Sequence, residues 1–223
     1  MTMNGIMETV CEICTSIRRR TQGGVSFQKL LAMIRKELKL HEIDLKIKTV
    51  KDKNLNTDVF YVNGFYDPED DKNNECPIEL IITHNFNKNG AWHEKNSTEL
   101  LIQIYDSLIH EYRHQGQYRK RSYKSGREHD NNHGRYLSDP DEIDAYSISI
   151  AFELCRNLGK HRALRYLHNT DKLSRLRLNG QFVAPSLGMY KTEFPKYNDP
   201  VINRLTKKVY TRLQKVDTDL IFM

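Results

Sequence analysis

The chain has 223 residues, a net charge of +6, an isoelectric point near 9.0 and a mean hydropathy of −0.70. That length can bury a real core, and no run of 18 apolar residues exists, which excludes a helical membrane-spanning protein. No basic start followed by an apolar stretch predicts a secretory signal, and Cys11, Cys14, Cys76 and Cys155 are too sparse for a disulfide framework, so reduced thiols in a cytoplasm (that of a host cell if the protein is viral) are expected.

In chain order, a first helical stretch is broken at Gly23-Gly24. Ser26 is the N-cap of a second helix over residues 27–40, where Leu30, Leu31, Ile34 and Leu38 recur at helical spacing. Alternation at Ile43, Leu45 and Ile47 predicts one strand, and residues 59–65 a second. Asp67-Pro68 opens an acidic turn through Asn74. Residues 77–83 read as a third strand, with Pro77 favouring an edge position. A polar loop leads to Ser97 or Thr98, which caps a long helix reaching Tyr118 or Arg121. Residues 122–137 read as loop. Asp139 caps the next helix, with Pro140 in its first turn and Gly159 as its stop. The last third is helical and irregular: residues 161–167, 171–178 and, after a loop with Pro185 and Pro195, 200–216. One domain over residues 1–223 is expected, with a helical N-terminal part (1–42), a core (43–158) and a helical C-terminal extension (159–223). The class is α+β.

The chemistry concentrates in His110-Glu111-Tyr112-Arg113-His114. Residues four apart share one face of a helix, so both imidazoles can aim at one ion, and neutral imidazoles suit zinc. Glu111 sits beside that ion without ligating it and can move a proton from water to a leaving amine. The five residues alone are moderately specific; their helix adds support. Leu101, Tyr105, Leu108 and Tyr112 form an apolar stripe for the core, and Gln103, Ser107, His110 and His114 a polar stripe for a cleft.

A catalytic zinc takes a third protein ligand and keeps one open position. A further His six residues on is absent, since Gln117 and Lys120 stand at the Gly and His positions of that extended pattern. Two candidates remain. Glu142 lies on a well-capped helix, which holds a metal more rigidly than a loop; His133 lies in the loop sequence Asn132-His133-Gly134-Arg135-Tyr136. Asp141 and Asp144 share the first turns with Glu142, so the register of the carboxylate stays open.

Together the short sheet, the His-Glu-x-x-His helix and the following run Pro140-Asp141-Glu142-Ile143-Asp144-Ala145-Tyr146 resemble the gluzincin class of zinc metallopeptidases, small phage-encoded members above all. The resemblance covers residues 43–158. It implies a zincin-like fold, a small mixed or antiparallel sheet packed on the His-Glu-x-x-His helix and the glutamate helix. It implies zinc on His110, His114 and Glu142, Glu111 as general base, and a peptide or protein substrate laid along the strand of residues 77–83. Thermolysin-like members carry an acidic residue four after the glutamate ligand. Tyr146 stands there, so it or another group must orient a zinc ligand or stabilise the oxyanion.

Two other functions stay open. His133-Gly134-x-Tyr136 is similar to the third-ligand segment of SprT-like proteases, which act on DNA-associated proteins; His133 would then replace Glu142. A non-enzymatic virion or interaction protein would use a closed zinc site instead. The basic runs at Arg18–Arg20, 119–121 and 204–215 permit nucleic-acid contact, but no aromatic-basic module accompanies them, and solvated helix faces explain them. Of the other histidines, His84, His93 and His129 are candidates to face a substrate. Cys11-x-x-Cys14 lacks a second cysteine pair and reads as structural.

Overall fold

Amphipathic helices open the chain. In the computed structural model, which describes residues 3–22, 24–57, 59–86, 91–92, 94–124 and 132–215, α1 (Met3–Arg20) buries Val10, Ile13, Cys14 and Ile17. After β1 (Val25–Ser26), Ser26 caps α2 (Phe27–Leu40), its hydroxyl accepting from the Lys29 N–H. Phe27, Leu30, Leu31, Ile34 and Leu38 then form the buried stripe that their spacing predicts. The chain divides into two compact units that part between Tyr123 and Lys124. Its class is α+β, with a small mixed sheet and many helices.

The first unit continues with β2 (Lys46–Lys51), β3 (Phe60–Tyr66), α3 (Pro68–Lys72), β4 (Ile78–His84), β5 (Ala91–Trp92) and α4 (Glu94–Lys120). The acidic segment after Asp67 is thus a short helix rather than a bare turn: the Asp67 carboxylate accepts from the Glu69 and Asp70 N–H groups, with Pro68 in the first turn. β2, β4 and β3 form one sheet in that order, β4 parallel to β2 and antiparallel to β3. One face buries Phe60, Tyr66, Ile78, Leu80 and Ile82, while Tyr61, Phe65 and Val50 are exposed. β1 pairs separately with β5.

The third strand is therefore central, which corrects the edge position expected from Pro77 and, with it, the expectation that an extended peptide adds to residues 77–83, since both sides of that strand are already paired. Proline is costly only where its missing N–H breaks a ladder. Pro77 precedes the strand, and its carbonyl accepts from the Asp67 N–H at 2.8 Å. The edges are β3 and the exposed β2, whose Lys46, Lys48 and Lys51 disfavour pairing with another chain. α4 also starts earlier than expected, and Ser97 is a buried residue inside it rather than its cap.

The second unit holds α5 (His133–Ser138), α6 (Pro140–Leu158), α7 (Lys160–Tyr166), α8 (Thr170–Arg175), β6 (Arg177–Leu178), β7 (Gln181–Phe182), α9 (Pro185–Glu193) and α10 (Pro200–Lys215). Asp139 ends α5 and caps α6, accepting from the Asp141 N–H, and Gly159 closes α6 at φ 75°. Ile143, Ile150 and Leu154 meet Ile202, Leu205, Val209 and Leu213 in one core. Residues expected as a single helix over 171–178 split into α8 and a hairpin, because Asn179 (φ 51°) and Gly180 (φ 81°) make a two-residue turn. Expected loop residues after Pro185 form α9, whose first turn is capped by Glu153: Ser186 donates to its carboxylate from N (3.2 Å) and from Oγ (2.7 Å). Among the described residues no helix is long and apolar enough to cross a membrane.

Candidate metal centre

Helical spacing puts His110 and His114 one turn apart on α4, and their Nε2 atoms face each other at 3.1 Å. The rings meet edge to face, centroids 4.8 Å apart. Gln117, one turn further on and largely buried, offers Oε1 to the His114 Nδ1 at 2.9 Å. An amide oxygen only accepts, so this contact favours the tautomer with the proton on Nδ1 and the lone pair on Nε2. Gln117 stands where an outer acceptor would orient His114 if that ring held a metal. The 3.1 Å separation is that of a hydrogen bond between the two rings, and it lies close to the roughly 3.3 Å between two nitrogens on a tetrahedral zinc at ordinary Zn–N distances.

The helix is held in this register from two sides. Along β3, Gln103 Oε1 accepts from the Val62 N–H at 3.2 Å, and Ser107 Oγ donates to the Val62 carbonyl at 3.2 Å. These two residues of the polar stripe therefore line the strand rather than a cleft. They satisfy edge groups of β3 that have no partner strand. From α3, the buried Asp71 carboxylate accepts from Gln115 Nε2 (2.8 Å), Tyr66 Oη (3.0 Å) and Arg119, whose Nε (2.9 Å) and terminal nitrogen (2.6 Å) bind it as a fork. Burial alone would raise the Asp71 pKa. The hydrogen bonds from Arg119, Gln115, Tyr123 and Tyr66 outweigh it and hold the carboxyl below its ordinary value. On the core side, Leu101, Ile104, Tyr105 and Leu108 are buried. Glu111 is also largely buried, with β3 close against it at Gly64.

In the second unit, Glu142 occupies the first turn of α6, where the helix dipole favours a carboxylate. It is largely buried and sits among tyrosines: the Tyr136 hydroxyl hydrogen-bonds with both Glu142 and Tyr146. Burial, then Tyr146 and Glu142, push the Tyr136 phenol well above its ordinary pKa. Tyr190 packs edge to face on Tyr146 with centroids 5.5 Å apart; it is fully buried, and its hydroxyl has no hydrogen-bond partner among the described residues. Asp144 is taken up within the unit, by Lys208 (2.6 Å) and Arg212 (3.0 Å) of α10. His133, expected in a loop, instead opens α5 behind the Asn132 cap; it is half exposed, and its Nδ1 lies 3.3 Å from Glu193 Oε2.

The remaining candidates separate clearly. His84 is buried, stacked on Phe86 and packed against Phe27, and its Nδ1 accepts from the Phe86 N–H at 3.1 Å. It belongs to the core of the first unit and not to a substrate-facing loop. His93 and His129 lie outside the described residues. Cys11 and Cys14 are buried on α1, the Cys14 thiol pointing at the Leu101 carbonyl, and burial pushes both thiols up in pKa. That suits packing, not metal binding. All four cysteines are unbridged. Sequence reasoning does not pair Gln117 with His114, Tyr136 with Glu142 or Gly64 with Glu111. The three-residue step from His114 to Gln117 was a usable signal; the other two contacts are tertiary. Comparison with protein-family models, with curated proteins and with solved structures finds no match to this chain.

Proposed function

We propose that the chain is a zinc metallopeptidase of zincin-like fold, in which His110, His114 and Glu142 hold the ion and Glu111 is the general base. The observation that carries this reading is the His110–His114 nitrogen pair at 3.1 Å with Gln117 fixing the His114 tautomer. It is supported by the ligand chemistry: two imidazoles one helical turn apart with a carboxylate are a donor set that suits zinc. Two imidazoles and one carboxylate leave a fourth position open, the pattern of a catalytic rather than a structural zinc. Tyr136, hydrogen-bonded to Glu142, orients that carboxylate. His133 has no metal role in this reading.

When bound, zinc supplies Lewis acidity toward the scissile carbonyl and toward water. Glu111 accepts a proton from the attacking water as its oxygen bonds to the carbonyl carbon. The same carboxyl then gives that proton to the amine nitrogen as the C–N bond breaks. Tyr146 is assigned to the charge that develops on the carbonyl oxygen. Zinc-loaded protein is expected to cleave fluorescently labelled casein, to stop on addition of 1,10-phenanthroline and to resume with added zinc. Glu111→Gln is expected to keep its zinc and to lose about 100-fold or more in rate. Cleavage by Glu111→Gln at the wild-type rate overturns the assignment of the base, and zinc-loaded wild type that leaves casein intact counts against the peptidase.

A further inference from the structure

Gly64 stands inside β3, paired with Leu80, where a glycine weakens a strand relative to alanine. Its backbone does not need glycine: among the described residues the glycines with positive φ are Gly24, Gly159 and Gly180. The reason for it lies on α4. A Cβ at residue 64 would come within 2.6 Å of Glu111 Cγ, 2.6 Å of Glu111 Oε1 and 3.0 Å of Glu111 Cδ. Real Cβ contacts do not reach such distances. The strand cannot simply retreat, because Val62, two residues earlier, is bound through its N–H and its carbonyl to Gln103 and Ser107. Residues 103, 107 and 111 are successive members of one helical stripe. The first two fix the distance between strand and helix, and the third fills the gap left at residue 64.

We infer that Gly64 is a positioning residue: its missing side chain is the slot that holds the Glu111 carboxyl group. The three atoms nearest to an added Cβ all belong to the Glu111 side chain, and none to backbone. The strain of a substitution therefore falls first on the Glu111 side chain, from Cγ to its carboxyl group. The packing claim stands by itself, and its catalytic consequence rests on the reading of Glu111 as the base.

A four-member cycle of the full chain tests it: wild type, Gly64→Ala, Glu111→Ala and the double variant, each followed by thermal unfolding. Gly64→Ala is expected to lower Tm beside Glu111. In the Glu111→Ala background, where the slot is empty, it is expected to be neutral or to raise Tm, since alanine restricts the unfolded chain. If Gly64→Ala alone fails to fold, folding restored in the double variant carries the same conclusion. Equal shifts in both backgrounds, no shift in either, or failure to fold in both overturn the slot. For catalysis, kcat and KM on labelled casein are read beside zinc content. Gly64→Ala is expected to lose on the order of 100-fold in kcat with KM and zinc kept, as a displaced reacting group does. Coupled unfolding with an unchanged kcat overturns the positioning role alone. Coupled unfolding in a wild type that cleaves nothing would instead refute the peptidase reading and keep the slot.

Discussion

Replacing Gln117 with leucine tests the proposed zinc site through the acceptor behind His114. The variant keeps the bulk of the side chain and removes the oxygen 2.9 Å from His114 Nδ1. Loss of such an outer partner weakens metal binding by about 10- to 100-fold, roughly 1.4–2.7 kcal/mol. Two features of the structure choose within that range. The acceptor is a neutral amide, whose hydrogen bond is worth about 0.5–1.5 kcal/mol net, and the helix already fixes the His114 backbone. Both point to the lower end, about tenfold. Gln117→Glu supplies a charged acceptor of roughly twice the strength and is expected to bind zinc at least as tightly as wild type. Competition titration against a chromophoric chelator, at one pH and ionic strength, reads the dissociation constants. A folded Gln117→Leu variant with wild-type affinity refutes the role given to the amide.

Asp71→Asn is expected to destabilise the first unit at neutral pH by about 1–2 kcal/mol, a buried-pair loss discounted because Arg119 is half exposed. The folded pKa of Asp71 lies below the ordinary 3.8, so its contribution is complete above that value and fades as pH falls through the lowered one. Urea unfolding at pH 7 and pH 3 should therefore show the gap between wild type and variant narrowing in acid; a gap that widens contradicts the sign. Cys11 and Cys14, buried and raised in pKa, are expected to resist iodoacetamide in the native protein, and Cys14→Ala to keep full zinc content. Fast labelling of Cys14, or loss of zinc from that variant, would place the pair in a site instead of the core.

Local signals in the sequence were reliable where the physics is local. Ser26, Asp139, Pro140 and Gly159 mark helix ends because caps act within one turn, and the bounds of α2 and α6 follow from them. The Asn179-Gly180 hairpin was equally local, but a helical reading of the leucines around it hid the turn. Strand order was another matter. Pro77 marked a strand end, and only the pairing of β4 with both neighbours reveals it as central. For the site, four-residue spacing suffices to join His110 to His114. No local pattern announces that Val62 hangs on Gln103 and Ser107, that Asp71 grips Arg119, or that Gly64 yields space to Glu111. Those contacts span tens of residues, and burial decides them.

Zinc K-edge X-ray absorption on the metal-loaded protein tests the proposed ligand set most directly. Two imidazole nitrogens at about 2.0–2.1 Å with oxygen completing the shell is the predicted result, the oxygen coming from Glu142 and water. A third imidazole would move the site to His133, a sulfur shell near 2.3 Å would move it to cysteine, and either would contradict the account.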